Sequence, residues 1–447
     1  FRLDLPPGGA AGTSPPHGRA VRMAHMESAQ RVRTGFGLKR EIATWLDRDY
    51  SSALVELVKA RDYRLAVADT RVLLAREFGF CYGVERAVDI AYQTRHRFAE
   101  KRIFITNEII HNASVNQRLA DMGFIFLSGQ YNKGLTYSDI TKDDVVVLPA
   151  FGAAIKEIDM LRAKGCILVD TTCGAVVNVW KNVEKYAKDQ YTSIIHGKFN
   201  HEETLATSSR AGGRYLIVRD LDEADYACDF ILSKGNREEF MKKFVNAVSP
   251  GFDPDTHLQL LGVANQTTML SSESLSIATR FRAAFVKKYG EEETKRRFRM
   301  ADTICSATQD RQDAVNEMMK EKPHVMIVIG GYNSSNTTHL VEIPEHNAVP
   351  AYHIDDAECL ISRSQIRHLP IGLKQVAIHE NWWPGKSPLT IGVTAGASTP
   401  NNKIGDTIMR LFELSGEKID DLVAEIEAMG PGLPPEIADE LHGGHEH

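Results

Sequence analysis

The sequence predicts an α/β protein made of three related subdomains that meet at one cavity, preceded by a helical extension. Two observations carry this. Runs of aliphatic and β-branched residues alternate with apolar positions at helical spacing, the pattern of parallel sheets covered by helices. The residues with chemical capacity also recur, three times over, at a near-constant interval. Cys81, Cys173 and Cys305 each stand where a strand-like run gives way to a helix, in VLLAREFGFCYGVERAVDIAY, CILVDTTCGAVVNVWKNVEKY and MADTICSATQDRQDAVNEMM. Polar motifs follow 30, 28 and 29 residues on, at His111 of IFITNEIIHN, His201 of TSIIHGKFNHEET and Ser334 of MIVIGGYNSSNTTHL.

A third strand-to-loop element closes each unit: VVVLPAFGAA around Phe151, LLGVANQTTMLSSES around Thr267 and LTIGVTAGAST around Ser398, at 70, 94 and 93 residues from the cysteines. The shorter first interval fits a first unit that lacks the charged stretch found around 220–260. A period near 100 residues is too long for a solenoid and suits three α/β units. Parallel sheets gather their sites at the carboxyl ends of the strands, where all these residues fall. The units are therefore placed at 82–172, 173–304 and 305–415, the third joined by 71–81, whose strand completes its sheet.

Outside the units, residues 1–35 carry Pro-Pro-Gly-Gly and scattered arginines with Asp4 and Glu27 as the only acids, a composition that argues for disorder. Residues 36–70 read as a helical extension, through LKREIATWLDRDY and SSALVELVKARDY. The tail from 429 to 447 breaks at Pro and Gly and holds His442, His445 and His447; a flexible end is expected there, not a metal site. The chain opens on Phe1, so a fragment, a processed form, an upstream extension and a transit-peptide remnant all stay open.

Composition narrows the function classes. A formal net charge of −6 provides no basic field for nucleic acid. No apolar run reaches the roughly 18–20 residues that span a bilayer. Six cysteines without short regular spacing do not form a secreted disulfide framework and suit a reducing compartment. Cys166, Cys228 and Cys359 lie outside the repeated pattern and read as small semi-buried residues.

From spacing alone the three repeated cysteines fit core residues, zinc ligands, catalytic thiols or iron–sulfur ligands. The short C-x-x-C pairs of structural zinc are absent, whereas a cluster tolerates widely separated thiolates. The loops NSSN at 333–336 and TAGAST at 394–399 offer hydroxyls, amides and helix N-terminal N–H groups to an anion, or simply cap their helices. His111 and His201 on matching loops favour the anion. Glu203, two residues after His201, would act as a proton donor if buried, with a raised pKa; Thr267 would relay or orient that proton.

In GFCYGVERA, NEIIHN, DTTC, NHEET, NQTTM, DTICSATQDRQDA, NSSN and VTAGAST, in this order, the chain from Arg71 to Phe412 resembles the 4-hydroxy-3-methylbut-2-enyl diphosphate reductase family, the last enzymes of the non-mevalonate isoprenoid pathway. LPAFGAA and HGKFNHEETLAT look most like its plant and cyanobacterial branch. The resemblance implies a trefoil of three pseudo-symmetric α/β domains around a central 4Fe-4S cluster held by Cys81, Cys173 and Cys305, with one iron lacking a protein ligand. It implies diphosphate binding by His111, His201, Ser334, Ser335, Asn336 and Ser398, with Glu203 and Thr267 near the substrate hydroxyl. Two single-electron deliveries, from reduced ferredoxin or flavodoxin, would then release water and yield isopentenyl or dimethylallyl diphosphate. Bacterial cytoplasm and plastid stroma both fit. Two departures stand out. Phe151 replaces a diphosphate-contacting His of one branch, with Lys198 or His196 as substitutes, and DTTCGAV lacks the Pro often found after the second cysteine.

Overall fold

The computed structural model describes residues 31–429 except residue 302. The His-rich tail and nearly all of the Pro- and Gly-rich N-terminal stretch lie outside the described residues. In chain order, β1 is Arg31–Val32, β2 Arg64–Val67, β3 Thr70–Leu74, β4 Ile103–Ile105, β5 Phe124–Phe126, β6 Val145–Leu148 and β7 Ile167–Asp170. The second unit adds β8 Thr192–His196, β9 Tyr215–Val218, β10 Leu261–Asn265 and β11 Phe298–Met300. The third adds β12 Val325–Ile329, β13 Ala351–Ile354, a hairpin of β14 Gln365–His368 and β15 Ala377–Glu380, and β16 Leu389–Ala395.

Among the described residues these strands form, beside the two-stranded β14-β15 hairpin, three larger sheets ordered β1-β7-β6-β4-β5, β11-β10-β8-β9 and β13-β12-β16-β3-β2. All their pairings are parallel except β2 with β3. Parallel strands joined by crossover helices bury both faces, and the side chains divide accordingly. In the first sheet Ile103, Ile105, Val145, Val147 and Val169 feed one core, while Phe104, Val146, Leu148 and Leu168 feed another. In the third, Val72, Leu74, Ile327 and Val393 face one core and Leu73, Met326 and Val328 the other. β3, from before Cys81, pairs with β16 near the C-terminus, so the chain's two ends close the third sheet.

The N-terminal segment departs from its reading in two places. Arg31–Val32, within the stretch whose composition argues for disorder, forms the edge strand β1 against Leu168 and Val169. An ion pair supplies what composition lacks: Arg31 meets the buried carboxylate of Asp170 at 2.6 Å and Arg33 meets it at 3.2 Å. The extension expected to be helical through residue 70 contains helices Lys39–Tyr50 and Ala53–Ala60. It then turns through Asp62 and Tyr63, both at positive φ, into β2, where Leu65 is buried between exposed Arg64 and Ala66. A period of two over four residues was hidden by the helical pattern before it.

Candidate active site

Each repeated cysteine is the N-cap of a long helix, Tyr82–Arg97, Gly174–Lys188 or Ser306–Met319. The positive ends of three helix dipoles thus face the sulfurs, a setting that favours anionic thiolates and sulfides. The sulfurs converge. A Cβ built on Gly83 would lie 2.4 Å from Cys173 Sγ and 3.9 Å from Cys81 Sγ, so only a residue without a side chain fits beside them. Burial pushes the Cys173 thiol up to about 11, against N–H groups of Ala175 and Val176 that lower it, and Cys81 and Cys305 raise it further. Cys305 is raised by burial too, with Cys81 and Glu203 adding to it.

Three thiols that act on one another, each at a helix N-terminus with N–H donors behind it, form a donor set that would suit an iron–sulfur group. Among the described residues, His111, His201 and Glu202 also bring ligand atoms within 4.8 Å of one another.

Glu203 is buried at 2% exposure on the helix Glu202–Ser208, where its charge is felt at Cys305. Thr267, at the end of β10, donates its N–H to Oε1 at 2.6 Å and its hydroxyl to Oε2 at 3.0 Å. Burial outweighs these bonds and pushes the carboxyl up to about 7. A carboxyl so placed can hold a proton near neutral pH.

The histidines form a wall whose tautomers follow from their partners. His201 Nδ1 accepts the Glu203 N–H at 3.1 Å, so the neutral ring carries its proton on Nε2, 3.3 Å from His111 Nε2. His111 Nδ1 lies 3.2 Å from Glu108 Oε2. Burial, together with His111 and Lys198, pushes His201 down to about 3, which keeps it neutral. With Nδ1 of His111 turned to Glu108, its Nε2 faces the His201 Nε2–H, and the two rings join the first and second units.

The third unit supplies the remaining polar groups, all buried. Ser334 caps its helix by accepting the Thr337 N–H at 3.3 Å, which leaves its own proton free. Asn336 Oδ1 accepts the Ala397 N–H at 3.0 Å, and its Nδ2 is buried without a partner. An orphaned donor at a helix N-terminus fits an anionic ligand. Ser398 donates its hydroxyl to the His111 carbonyl at 3.0 Å, tying the third unit to the first. Gly331 permits that approach, since a Cβ there would stand 2.5 Å from the same carbonyl oxygen.

Of the two substitutes considered for Phe151, only Lys198 reaches the anion loop, its Nζ 3.2 Å from Ser335 Oγ. His196 is fully buried on β8 and bonds to Ser274 at 2.8 Å. Phe151 itself stacks on His111 with centroids 4.5 Å apart and planes at 14°. Sequence reasoning missed Glu108, which anchors His111, and Gln266, whose Oε1 accepts from Lys198 N and Thr204 Oγ1 at 3.2 and 3.1 Å. Both sit inside motifs already singled out, NEIIHN and NQTTM, where position in the motif was the available signal.

The LytB protein family profile matches residues 72–412. The chain is 50% identical over 380 residues to the 4-hydroxy-3-methylbut-2-enyl diphosphate reductase of Microcystis aeruginosa, covering 85% of this chain and 94% of that protein. Against the reductase of the same name from Gloeothece citriformis it is 47% identical over 397 residues, 89% of this chain and 98% of the other. The solved structure of E-1-hydroxy-2-methyl-but-2-enyl-4-diphosphate reductase from Plasmodium falciparum shares the fold, with a TM-score of 0.56, 23% identity and coverage of 76% of this chain and 87% of that one. Matched by the family profile through all three units, and close in sequence to proteins it covers almost end to end, the chain belongs to the LytB protein family.

Proposed function

We infer that this chain reduces 4-hydroxy-3-methylbut-2-enyl diphosphate to isopentenyl and dimethylallyl diphosphate, at a 4Fe-4S cluster held by Cys81, Cys173 and Cys305. The observation that carries this reading is the meeting of three thiols from three helix N-termini with a buried carboxyl that burial raises to about 7. When bound, the cluster supplies electrons one at a time and an iron without a protein ligand.

The chain's own residues do the rest. The reaction consumes two electrons and two protons: the carbon–oxygen bond breaks, one proton leaves with the hydroxyl as water and one is added to carbon. Hydroxide is a poor leaving group, and protonated Glu203 supplies the proton that turns it into water. Thr267 fixes both carboxyl oxygens and with them the orientation of the carboxyl group. His201 Nε2–H, Ser334, Ser335, Asn336 Nδ2 and the helix N-terminus at Ser335 hold the diphosphate, with His111 and Ser398 completing the seam between first and third units. Binding energy at the diphosphate, remote from the reacting carbon, orients the allylic end.

A reduced ferredoxin or flavodoxin is the proposed electron donor. None of the six cysteines is in a disulfide, in keeping with the proposed reducing compartment, bacterial cytoplasm or plastid stroma. No helix among the described residues is long and apolar enough to cross a membrane. Anaerobic purification, iron and sulfide quantification and a substrate-reduction assay with a competent donor test the reading. Cluster-loaded protein that does not turn over would sink it.

A further inference from the structure

We propose that Lys198 is the cationic diphosphate-binding residue of this site, reaching from the second unit to the third. The inference rests on the diphosphate-binding reading given above and goes beyond it by naming where the positive charge comes from.

The cavity wall is short of cations. His201 is neutral, the serines and Asn336 are uncharged donors, and Glu108, Glu202 and Glu203 all stand near the histidines. On the first unit's side the corresponding loop presents Phe151, whose ring covers one face of His111. A polyanion placed there needs charge from another quarter. Lys198 has it. Its Nζ lies 3.2 Å from Ser335 Oγ, the first residue of the helix Ser335–His346.

The lysine is built into this position. Its N–H donates to Gln266 Oε1 at 3.2 Å and its carbonyl accepts the His201 N–H at 3.0 Å. Gln266 Nε2 also reaches Ser335 Oγ, at 3.4 Å. The Ser335 oxygen thus accepts from two donors, which leaves its own proton to point at a ligand. Among the described residues no carboxylate forms an ion pair with Lys198, and Glu342, whose charge it feels, bonds to His339 Nδ1 at 2.8 Å. A half-buried ammonium without a counter-ion, beside an orphaned Asn336 amide, is the arrangement expected of a site that an anion completes.

Titration of the cluster-loaded protein with inorganic pyrophosphate by calorimetry tests this. Lys198→Met is expected to weaken binding about ten- to hundredfold and to flatten its salt dependence. Lys198→Arg is expected to retain most of the affinity, because charge and not shape is what matters. Iron content and the cluster's absorption spectrum, unchanged in both variants, show that the site is intact. With substrate, Lys198→Met should raise KM more than it lowers kcat. Pyrophosphate affinity equal to wild type in Lys198→Met, or lost equally in Lys198→Arg, overturns the assignment while the anion reading stands. A wild-type protein that binds no pyrophosphate overturns both.

Discussion

Thr267 grips both oxygens of Glu203, one through its backbone N–H at 2.6 Å and the other through its hydroxyl at 3.0 Å. The Thr267 carbonyl in turn accepts the Thr308 hydroxyl at 3.0 Å, from the first turn of the helix that Cys305 begins. The acid is therefore fixed relative to one of the thiols through three hydrogen bonds, across a boundary between units. Four expectations follow from this and from the neighbouring contacts.

Glu203→Gln keeps the acceptor for the Thr267 N–H but removes the transferable proton. Turnover is expected to fall by about 10²–10⁴-fold, the usual share of a general acid. Iron content and pyrophosphate affinity should stay at wild-type levels; near-normal turnover would remove Glu203 from the proton path.

The Glu203 carboxyl, raised by burial to about 7, donates only while protonated. Wild-type kcat should be level below pH 7 and fall above it, and Thr267→Val, which removes one bond to the ionised form, should move that limb upward. Stability has the same sign. A carboxyl raised in the folded state contributes fully below its ordinary value near 4.5 and loses that contribution as pH rises through about 7. Between pH 4.5 and 8.5 wild type should lose about 2–3 kcal/mol relative to Glu203→Gln. Denaturant melts of both proteins at the two pH values measure it, and parallel curves would contradict the burial argument.

Gly83→Ala places a methyl 2.4 Å from Cys173 Sγ, whereas a Cβ on Gly174 meets nothing within 4 Å. Iron incorporation should drop severalfold in the first variant and remain normal in the second. Both glycines are in helices, so the helix-propensity change favours alanine in each case. Equal iron content would mean that the sulfurs do not need that space.

Asp170 lies two residues before Thr172 and accepts its N–H at 3.0 Å, while Arg31 and Arg33 hold the other oxygen. Arg86 donates to the carbonyls of Thr171 and Thr172, both at 3.4 Å, and to that of Arg33. The DTTC loop is clamped by the N-terminal segment. Replacing Arg31 and Arg33 together by Ala strands a buried carboxylate and should cost about 3–5 kcal/mol. Faster loss of the cluster in air than for wild type should accompany it; an unchanged melting temperature would show that the clamp is dispensable.

The sequence by itself determined the repeated unit, the parallel α/β class and the motifs of the site. Local chemistry is enough for these: periodicity of two or 3.6 reports which faces are buried, and Cys81, Cys173 and Cys305 mark strand ends by what flanks them. It could not read the N-terminal edge strand, because Arg31 and Val32 gain order from pairing with β7 and from the Asp170 carboxylate, far along the chain. Nor could it choose between Lys198 and His196 as the residue beside Ser335, or assign the proton on His201. Those depend on distances between residues of different units, and on burial, which shifts a carboxyl or an imidazole only once the three units have closed around it.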